Sequence, residues 1–300
     1  MGKLVLIDGN SIAYRAFYAL PLLSNSSGIY TNAVYGFTMM LLKVLEEEKP
    51  THMLVAFDAG KTTFRHKDYQ EYKGKRQKTP GELAEQIPLV QEMLDAFGIR
   101  HFALQDYEAD DIIGTLARTG AAQDLEVLIV SGDKDLLQLV NEKVNVLLTR
   151  KGVTDTERYD REAIAERYGL TPEQIIDLKG LMGDASDNIP GIPGVGEKTA
   201  LKLLQQFPTV EEIVDHVDEL PGKKLQEKVE TYRDQALLSK KLATIYSEVP
   251  LELQLEDLVL SEMDVGRIAD FFKKLEFKTL LDRLEKWSGG GEAEIASVHE

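Results

Sequence analysis

Three short apolar runs in this chain end in aspartate. "KLVLID" closes on Asp8, "HMLVAFD" on Asp58, and "LEVLIVSGDKD" on Asp133 and Asp135. Each is rich in residues that suit a pleated, buried surface, so each reads as a strand. "RHFAL" reads as a fourth. Between them lie stretches such as "AVYGFTMMLLKVLEEE", whose Val34, Phe37, Leu41, Val44 and Leu45 recur at helical spacing. Near-continuous apolar strands alternating with amphipathic helices predict a mainly parallel sheet with helices on both faces. In such sheets ligands collect at the carboxyl ends of strands. One strand ending in Asp is turn chemistry. Three such strands predict acids converging on one edge.

Composition narrows the chemistry that such an edge can do. The 300 residues contain no cysteine, which excludes disulfides, thiolate zinc sites and cysteine nucleophiles. His52, His66, His101, His216 and His299 are scattered, without an HExxH pair. The longest apolar runs fall far short of the roughly 20 residues that span a bilayer, and "LVLI" gives way to Asp8 too early for a signal peptide. What remains is chemistry built on carboxylates, lysines and arginines. The net charge of −16 opposes a nucleic-acid partner. Between Lys61 and Lys78, however, seven cations face only Asp68 and Glu71, a local balance of +5. There Lys61, Arg65 and Lys75 interleave with Phe64, Tyr69 and Tyr72, a mixture suited to phosphate neutralisation and base stacking. A solvated charged face is the plainer reading of such a run; its place directly after Asp58 favours a segment that grips substrate.

The acids are the first chemical constellation: Asp8, Asp58, Glu108, Asp110, Asp111, Asp133, Asp135, Asp184 and Asp187. Carboxylates without His or Cys are hard oxygen ligands suited to Mg²⁺ or Mn²⁺. Two such ions about 3.5–4 Å apart serve phosphodiester hydrolysis. Each acidic motif also has a local explanation. "EADD" can be a helix start, "SGDKD" a strand-to-helix turn with an Asp cap, and "GDASDN" an Asx-rich loop. Those explanations do not account for acids recurring at the same topological place.

The second constellation is "NIPGIPGVGEKTALKLL". Gly191 and Gly196 have P-loop separation, but Glu197 intervenes before Lys198 and Thr199, and a helix precedes the motif rather than a strand. A helix–hairpin–helix fits better. Gly194, Val195 and Gly196 form the hairpin, where backbone N–H groups can approach a phosphate beside a helix start. Such a site holds a nucleic-acid backbone without reading bases. A plain turn between helices is the alternative.

Taken together, "LIDGNSIAYRAF", "VAFDAG", "YKGKR", "EADDIIG", "SGDKDLLQLV" and "LMGDASDNIPGIPGVGEKTA" resemble the 5′-nuclease domain of bacterial DNA polymerase I, in the 5′–3′ exonuclease / flap endonuclease family. The resemblance covers about residues 1–287, in the family's motif order. It implies a PIN-like, Rossmann-like α/β fold with a mainly parallel sheet, flanking helices and a helical arch, followed by a helical region. By motif position, Asp8, Asp58, Glu108 and Asp110, with Asp111 adjoining, match one metal cluster. Asp133, Asp135, Asp184 and Asp187 match the second. Arg15, Tyr72, Lys73 and Arg76 match positions that handle the scissile phosphate and the unpaired strand. Gly191, Gly194, Val195, Gly196, Lys198 and Thr199 match the hairpin that holds duplex DNA, whose carbonyls would also take K⁺.

The resemblance further implies two or more Mg²⁺ or Mn²⁺ ions and cleavage of 5′ flaps, 5′ ends or RNA primers during DNA replication and repair. It implies a monomer in the bacterial cytoplasm, at the nucleoid, with polymerase domains tethered beyond this chain. The expected organisation is a catalytic domain over 1–172 with an arch at about 61–97. A helical DNA-binding region follows over 173–287, with its hairpin motif at 189–205, and then a tether over 288–300. A non-catalytic DNA-binding module with structural metal sites is the principal alternative. A small-molecule phosphohydrolase centred on "SGDKD" is a second.

Overall fold

The computed structural model describes residues 2–296, with side chains described through Trp287. Six strands form one sheet: β1 (Lys3–Asp8), β2 (His52–Ala56), β3 (Arg100–Phe102), β4 (Glu126–Ser131), β5 (Val144–Thr149) and β6 (Thr156–Tyr159). Their order is β3-β2-β1-β4-β5-β6. All neighbours pair in parallel except β5 with β6. The four strands legible in the sequence are β1 to β4. The "TERY" of β6 carries too little apolar residue to stand out, and only its antiparallel pairing with β5 makes it a strand.

The alternation of side chains along a strand builds two cores. Val5, Ile7, Met53, Val55, Leu128 and Val130 face one layer of helices. Leu4, Leu6, Leu54, Ala56, Val127 and Ile129 face the other, under the helix Ala109–Ala122. Strands buried on both faces therefore read as unbroken apolar runs. The chain lays down β1, β2 and β3 in one direction and then returns to β4 on the other side of β1. Connections leaving β1 and β4 diverge, and the crevice opens at their carboxyl ends.

A third core, from Leu170 to Ala236, belongs to the helical region alone. That region does not extend over the whole of 173–287 as expected. Ile268, Phe271, Phe272, Leu275, Phe277, Leu280 and Leu284 pack into the same core as Val5 and Val55 of the sheet. The helix Val265–Lys274 has one strongly apolar face, and its sequence does not say which layer that face covers. The next helix runs Lys278–Ala296, through the start of the expected tether; residues 297–300 lie outside the described residues.

Of the arch expected over 61–97, residues 61–80 are largely without regular helix, while the helices Gly81–Ala84 and Gln86–Ala96 take up most of the rest. The helix Arg65–Asp68 is a single turn, turns follow to Lys75, and Gln77–Pro80 has no regular structure. The helix Gln86–Ala96 belongs to the core through Val90, Met93 and Leu94.

If the C-terminal helices are part of the sheet's own core, Phe272→Ala should cost about 3–5 kcal/mol in urea unfolding. A loss below about 1 kcal/mol would mean that these helices dock only loosely.

Candidate active site

The crevice collects acids from several chain segments. Asp8 ends β1, and its carboxylate accepts hydrogen bonds from the Ser11 N–H (3.2 Å) and the Ser131 hydroxyl (2.8 Å). Asp58, exposed just past β2, accepts from the N–H of Ala109 (2.8 Å), so it ties that strand to the first turn of the Ala109–Ala122 helix. Asp110 lies in that turn. Asp133, just past β4, accepts from the Asp135 N–H at 2.9 Å. Burial, then repulsion from Asp58 and Asp133, pushes the Asp8 carboxyl up to about 7. Burial, then Asp8 and Asp133, raises Asp110 well above the usual carboxylate range. These groups thus share one electrostatic field, and none has an ion-pair partner among the described residues, although Lys73 and Lys179 act on it from nearby.

A tighter group adjoins them. Asp135, Asp184 and Asp187 each place one carboxylate oxygen within 4.8 Å of the others. Asp184 and Asp187 come from the loop after the helix Ile175–Met182 and reach the sheet edge only through the tertiary fold. Burial and Asp133 push Asp135 up to about 7, against the pull of Lys179. Asp184 is lowered instead: burial opposes it, but hydrogen bonds from Lys179 (2.6 Å) and Ser186 prevail. Lys179 stands 3.1 Å from Asp135 Oδ1, yet it does not meet hydrogen-bond geometry there, and that buried oxygen is left without a donor. Lys179 is a site residue that the sequence reading missed; nothing in "DLKGLMGD" marks it.

Glu108 and Asp111 behave differently. Asp111 is fully buried. It accepts from both terminal nitrogens of Arg65 (2.9 and 2.8 Å), from the Glu108 N–H (3.0 Å) and from the Tyr246 N–H (2.9 Å). Its oxygens are fully engaged, so the expectation of a metal ligand at Asp111 is corrected: it is a buried anchor. Glu108 accepts from Arg65 (2.5 Å), from the Tyr72 hydroxyl (3.1 Å) and from Lys73.

The basic segment divides in the same way. Arg65 is only 3% exposed and donates also to the carbonyls of Leu242 and Thr244, so it is no DNA contact as expected but a structural pin. Tyr72 is 4% exposed and cannot stack on an unpaired base. Burial and then Asp187 drive its hydroxyl far above the usual range, keeping it a hydrogen-bond donor. Lys73 adopts a left-handed backbone (φ +56°), and its N–H donates to the Asp187 carbonyl at 2.8 Å. Asn188, also left-handed (φ +56°), donates from its side chain to the Glu71 carbonyl at 2.7 Å. Two strained residues thus clasp the basic segment to the acidic loop. Arg76 reaches Asp187 at 2.6 Å. Arg15 lies beside Gly132, one residue before Asp133: a Cβ added at Gly132 would stand 3.6 Å from its guanidinium. Lys61 and Lys75 are exposed.

The hairpin motif joins the helices Ile175–Met182 and Glu197–Gln206. Gly191 has φ +59°, and a Cβ there would meet the Gly183 nitrogen at 2.2 Å, so no other residue fits. Val195 is buried in the helical core and offers only backbone to a ligand. Lys198 is exposed and Thr199 half-buried. Lys228, outside the motif, brings its ammonium to within 2.5 Å of where a Gly194 Cβ would be.

The family model described as "5′-3′ exonuclease, N-terminal resolvase-like domain" matches residues 3–169, and "5′-3′ exonuclease, C-terminal SAM fold" matches 170–266. The chain belongs to the 5′–3′ exonuclease family. It is 60% identical over 290 residues to DNA polymerase I of Bacillus subtilis (strain 168), covering 97% of this chain and 33% of that protein. It is 58% identical to DNA polymerase I of Bacillus caldotenax, covering 99% of this chain and 34% of that one. The chain therefore spans about a third of the length of these relatives. Among solved structures, a zinc-bound T5 5′-exonuclease shares the fold with a TM-score of 0.66 at 23% identity, covering 95% of this chain and 97% of that one. The catalytic core of Rad2 in complex with DNA substrate has a TM-score of 0.64 at 18% identity, covering 94% and 92%.

The residues present suit the divalent ions expected of such a fold. Asp135, Asp184 and Asp187 offer oxygens at ligand spacing, and one buried Asp135 oxygen lacks a donor. The pKa shifts give a test. Asp8 and Asp135 titrate near 7 in the metal-free fold against about 4 when unfolded. A raised carboxyl favours folding below its unfolded pKa and loses that contribution as pH rises through its folded one. Metal-free protein should therefore melt lower at about pH 8 than at about pH 6, and Mn²⁺ should raise Tm more at the higher pH. Equal Mn²⁺ shifts at both would show that the ions bind elsewhere.

Proposed function

We propose that this chain is a divalent-metal-dependent 5′ nuclease that hydrolyses phosphodiester bonds at 5′ flaps and 5′ ends of duplex DNA and at RNA primers. The observation that carries this reading is the meeting of acids from β1, β2, β4, the Ala109–Ala122 helix and the 184–187 loop at one crevice, beneath a cationic segment. Asp8, Asp58, Asp110 and Asp133 would hold one Mg²⁺ or Mn²⁺, with Glu108 at its border, and Asp135, Asp184 and Asp187 another. Ions held there would supply Lewis acidity, which would acidify an attacking water and offset charge on the departing 3′ oxygen.

The chain's own groups do the rest. Lys73 and Arg76 each sit on an acid of the cluster, which puts their charges where a scissile phosphate lies between the two acid groups. Arg15 adds a third cation beside Gly132, the residue before Asp133. Tyr72 orients Glu108 rather than the substrate. The backbone N–H groups of Gly194 and Gly196, with Lys198, Thr199 and Lys228 beside them, hold the duplex backbone away from the cut, and a K⁺ ion on the hairpin carbonyls would reinforce that grip. Lys61 and Lys75 extend the cationic path. The length of its relatives supports polymerase domains beyond this chain. The setting is bacterial DNA replication and repair in the cytoplasm, at the nucleoid, by a monomer.

Asp133→Ala should cut Mg²⁺-dependent cleavage of a labelled 5′-flap duplex by at least about 100-fold while leaving DNA binding in EDTA intact. Near-full cleavage by this variant would sink the assignment.

A further inference from the structure

The base-stacking role expected of Tyr72 has no place at that buried ring, but the structure offers one nearby. Phe64, Tyr107 and Tyr246 come from three distant parts of the chain and meet as one aromatic cluster. Tyr107 and Tyr246 lie near-parallel (16°) with centroids 6.1 Å apart, and Phe64 stands 5.8 and 5.9 Å from them. Tyr246 is 41% exposed, while Phe64 and Tyr107 are half-buried. Neither tyrosine hydroxyl has a hydrogen-bond partner among the described residues, so nothing in the fold accounts for the phenols.

The cluster is fixed rigidly to the acid site. Phe64 precedes Arg65, whose guanidinium lies 4.6 Å from its ring centroid, and the Phe64 N–H donates to the Asp106 carbonyl at 3.0 Å. Tyr107 directly precedes Glu108, and the Tyr246 N–H is held by Asp111 at 2.9 Å. The charges around it also differ from the acidic whole. Glu108 and Asp111 are covered by Arg65, and Lys61 and Lys67 are exposed without ion pairs among the described residues. Asp106 is the one exposed acid immediately beside it in the chain.

We propose that Phe64, Tyr107 and Tyr246 form a stacking platform for an unpaired nucleobase of the 5′ single strand, next to the cut. This rests on the nuclease reading above and adds to it which part of the substrate is held, and by what. Every base has a π-face, so the platform takes any sequence; Lys61 and Lys67 meet the adjoining phosphates. It predicts a preference for substrates with unpaired 5′ nucleotides over flush ends, expressed in binding rather than in chemistry.

The test uses the whole chain with Tyr246→Leu, Tyr107→Leu and Tyr246→Phe, each checked by thermal melting. 2-Aminopurine is placed singly at successive unpaired 5′ nucleotides of a flapped duplex, and fluorescence is read with Ca²⁺ in place of Mg²⁺. Wild type and Tyr246→Phe should quench the probe at one or two positions, and the Leu variants should lose at least half of that quench. In Mg²⁺, the Leu variants should raise KM for the flapped duplex about fivefold or more. Their kcat, and their KM for a nicked duplex without a flap, should stay at wild-type values. An unchanged quench, or an equal KM rise on both substrates, overturns the platform. Failure of the wild type to cut either duplex overturns the nuclease reading instead, and the quench then judges the platform alone.

Discussion

The buried guanidinium of Arg65 holds the site together. It binds Glu108 and Asp111 at the start of the Ala109–Ala122 helix and the carbonyls of Leu242 and Thr244 at the end of the helix Arg233–Ala243. One side chain thus joins the basic segment, the α/β layer and the helical region. A buried ion pair adds little net stability when complete, but losing one partner strands the other charge at a cost of about 3–5 kcal/mol. The planar fork also fixes orientation, which a lysine would not. The placement of Tyr72, Lys73 and Arg76 over the acids follows from that fixed base.

The acids divide by how they are compensated. Asp111 and Glu108 have cations of this chain and are settled without help. Burial first, and then neighbouring carboxylates, raise the pKa values of Asp8 (by Asp58 and Asp133), Asp110 (by Asp8 and Asp133) and Asp133 (by Asp187). Asp135 sits between, near Lys179 but with one oxygen unserved. Such a cluster is unfavourable in the bare protein, and a divalent cation bound among the acids would add attractions that offset their mutual repulsion. Binding a divalent cation would return the stability given up by crowding anions, and so couple ion binding to the stability of the fold.

Much of this was legible in the letters. Buried strands of a parallel sheet must be apolar throughout, so β1, β2 and β4 announced themselves, and the rule that ligands gather at their carboxyl ends singled out Asp8, Asp58 and Asp133. The glycine pattern at 191–196 was legible for a similar reason, since Gly191 tolerates no Cβ. Less visible were features whose signal is spread across the chain. Lys179 joins the site only because the helix Ile175–Met182 packs at the sheet edge. Phe64, Tyr107 and Tyr246 are ordinary aromatics until three segments converge.

The sequence by itself determined the fold class, a candidate site built on hard oxygen ligands and the list of candidate acids, because periodicity and residue type are local properties. Only the tertiary structure decided which acids are free to bind an ion and which are spent on Arg65. It also decided that the helices after Val265 close the sheet's own core, and that Tyr72 is buried while Tyr246 is open. The physical reason is common to all three. A carboxylate's role depends on what fills its remaining lone pairs, an apolar helix face on which layer lies beneath it, and a ring on whether water reaches it. Those partners come from far along the chain.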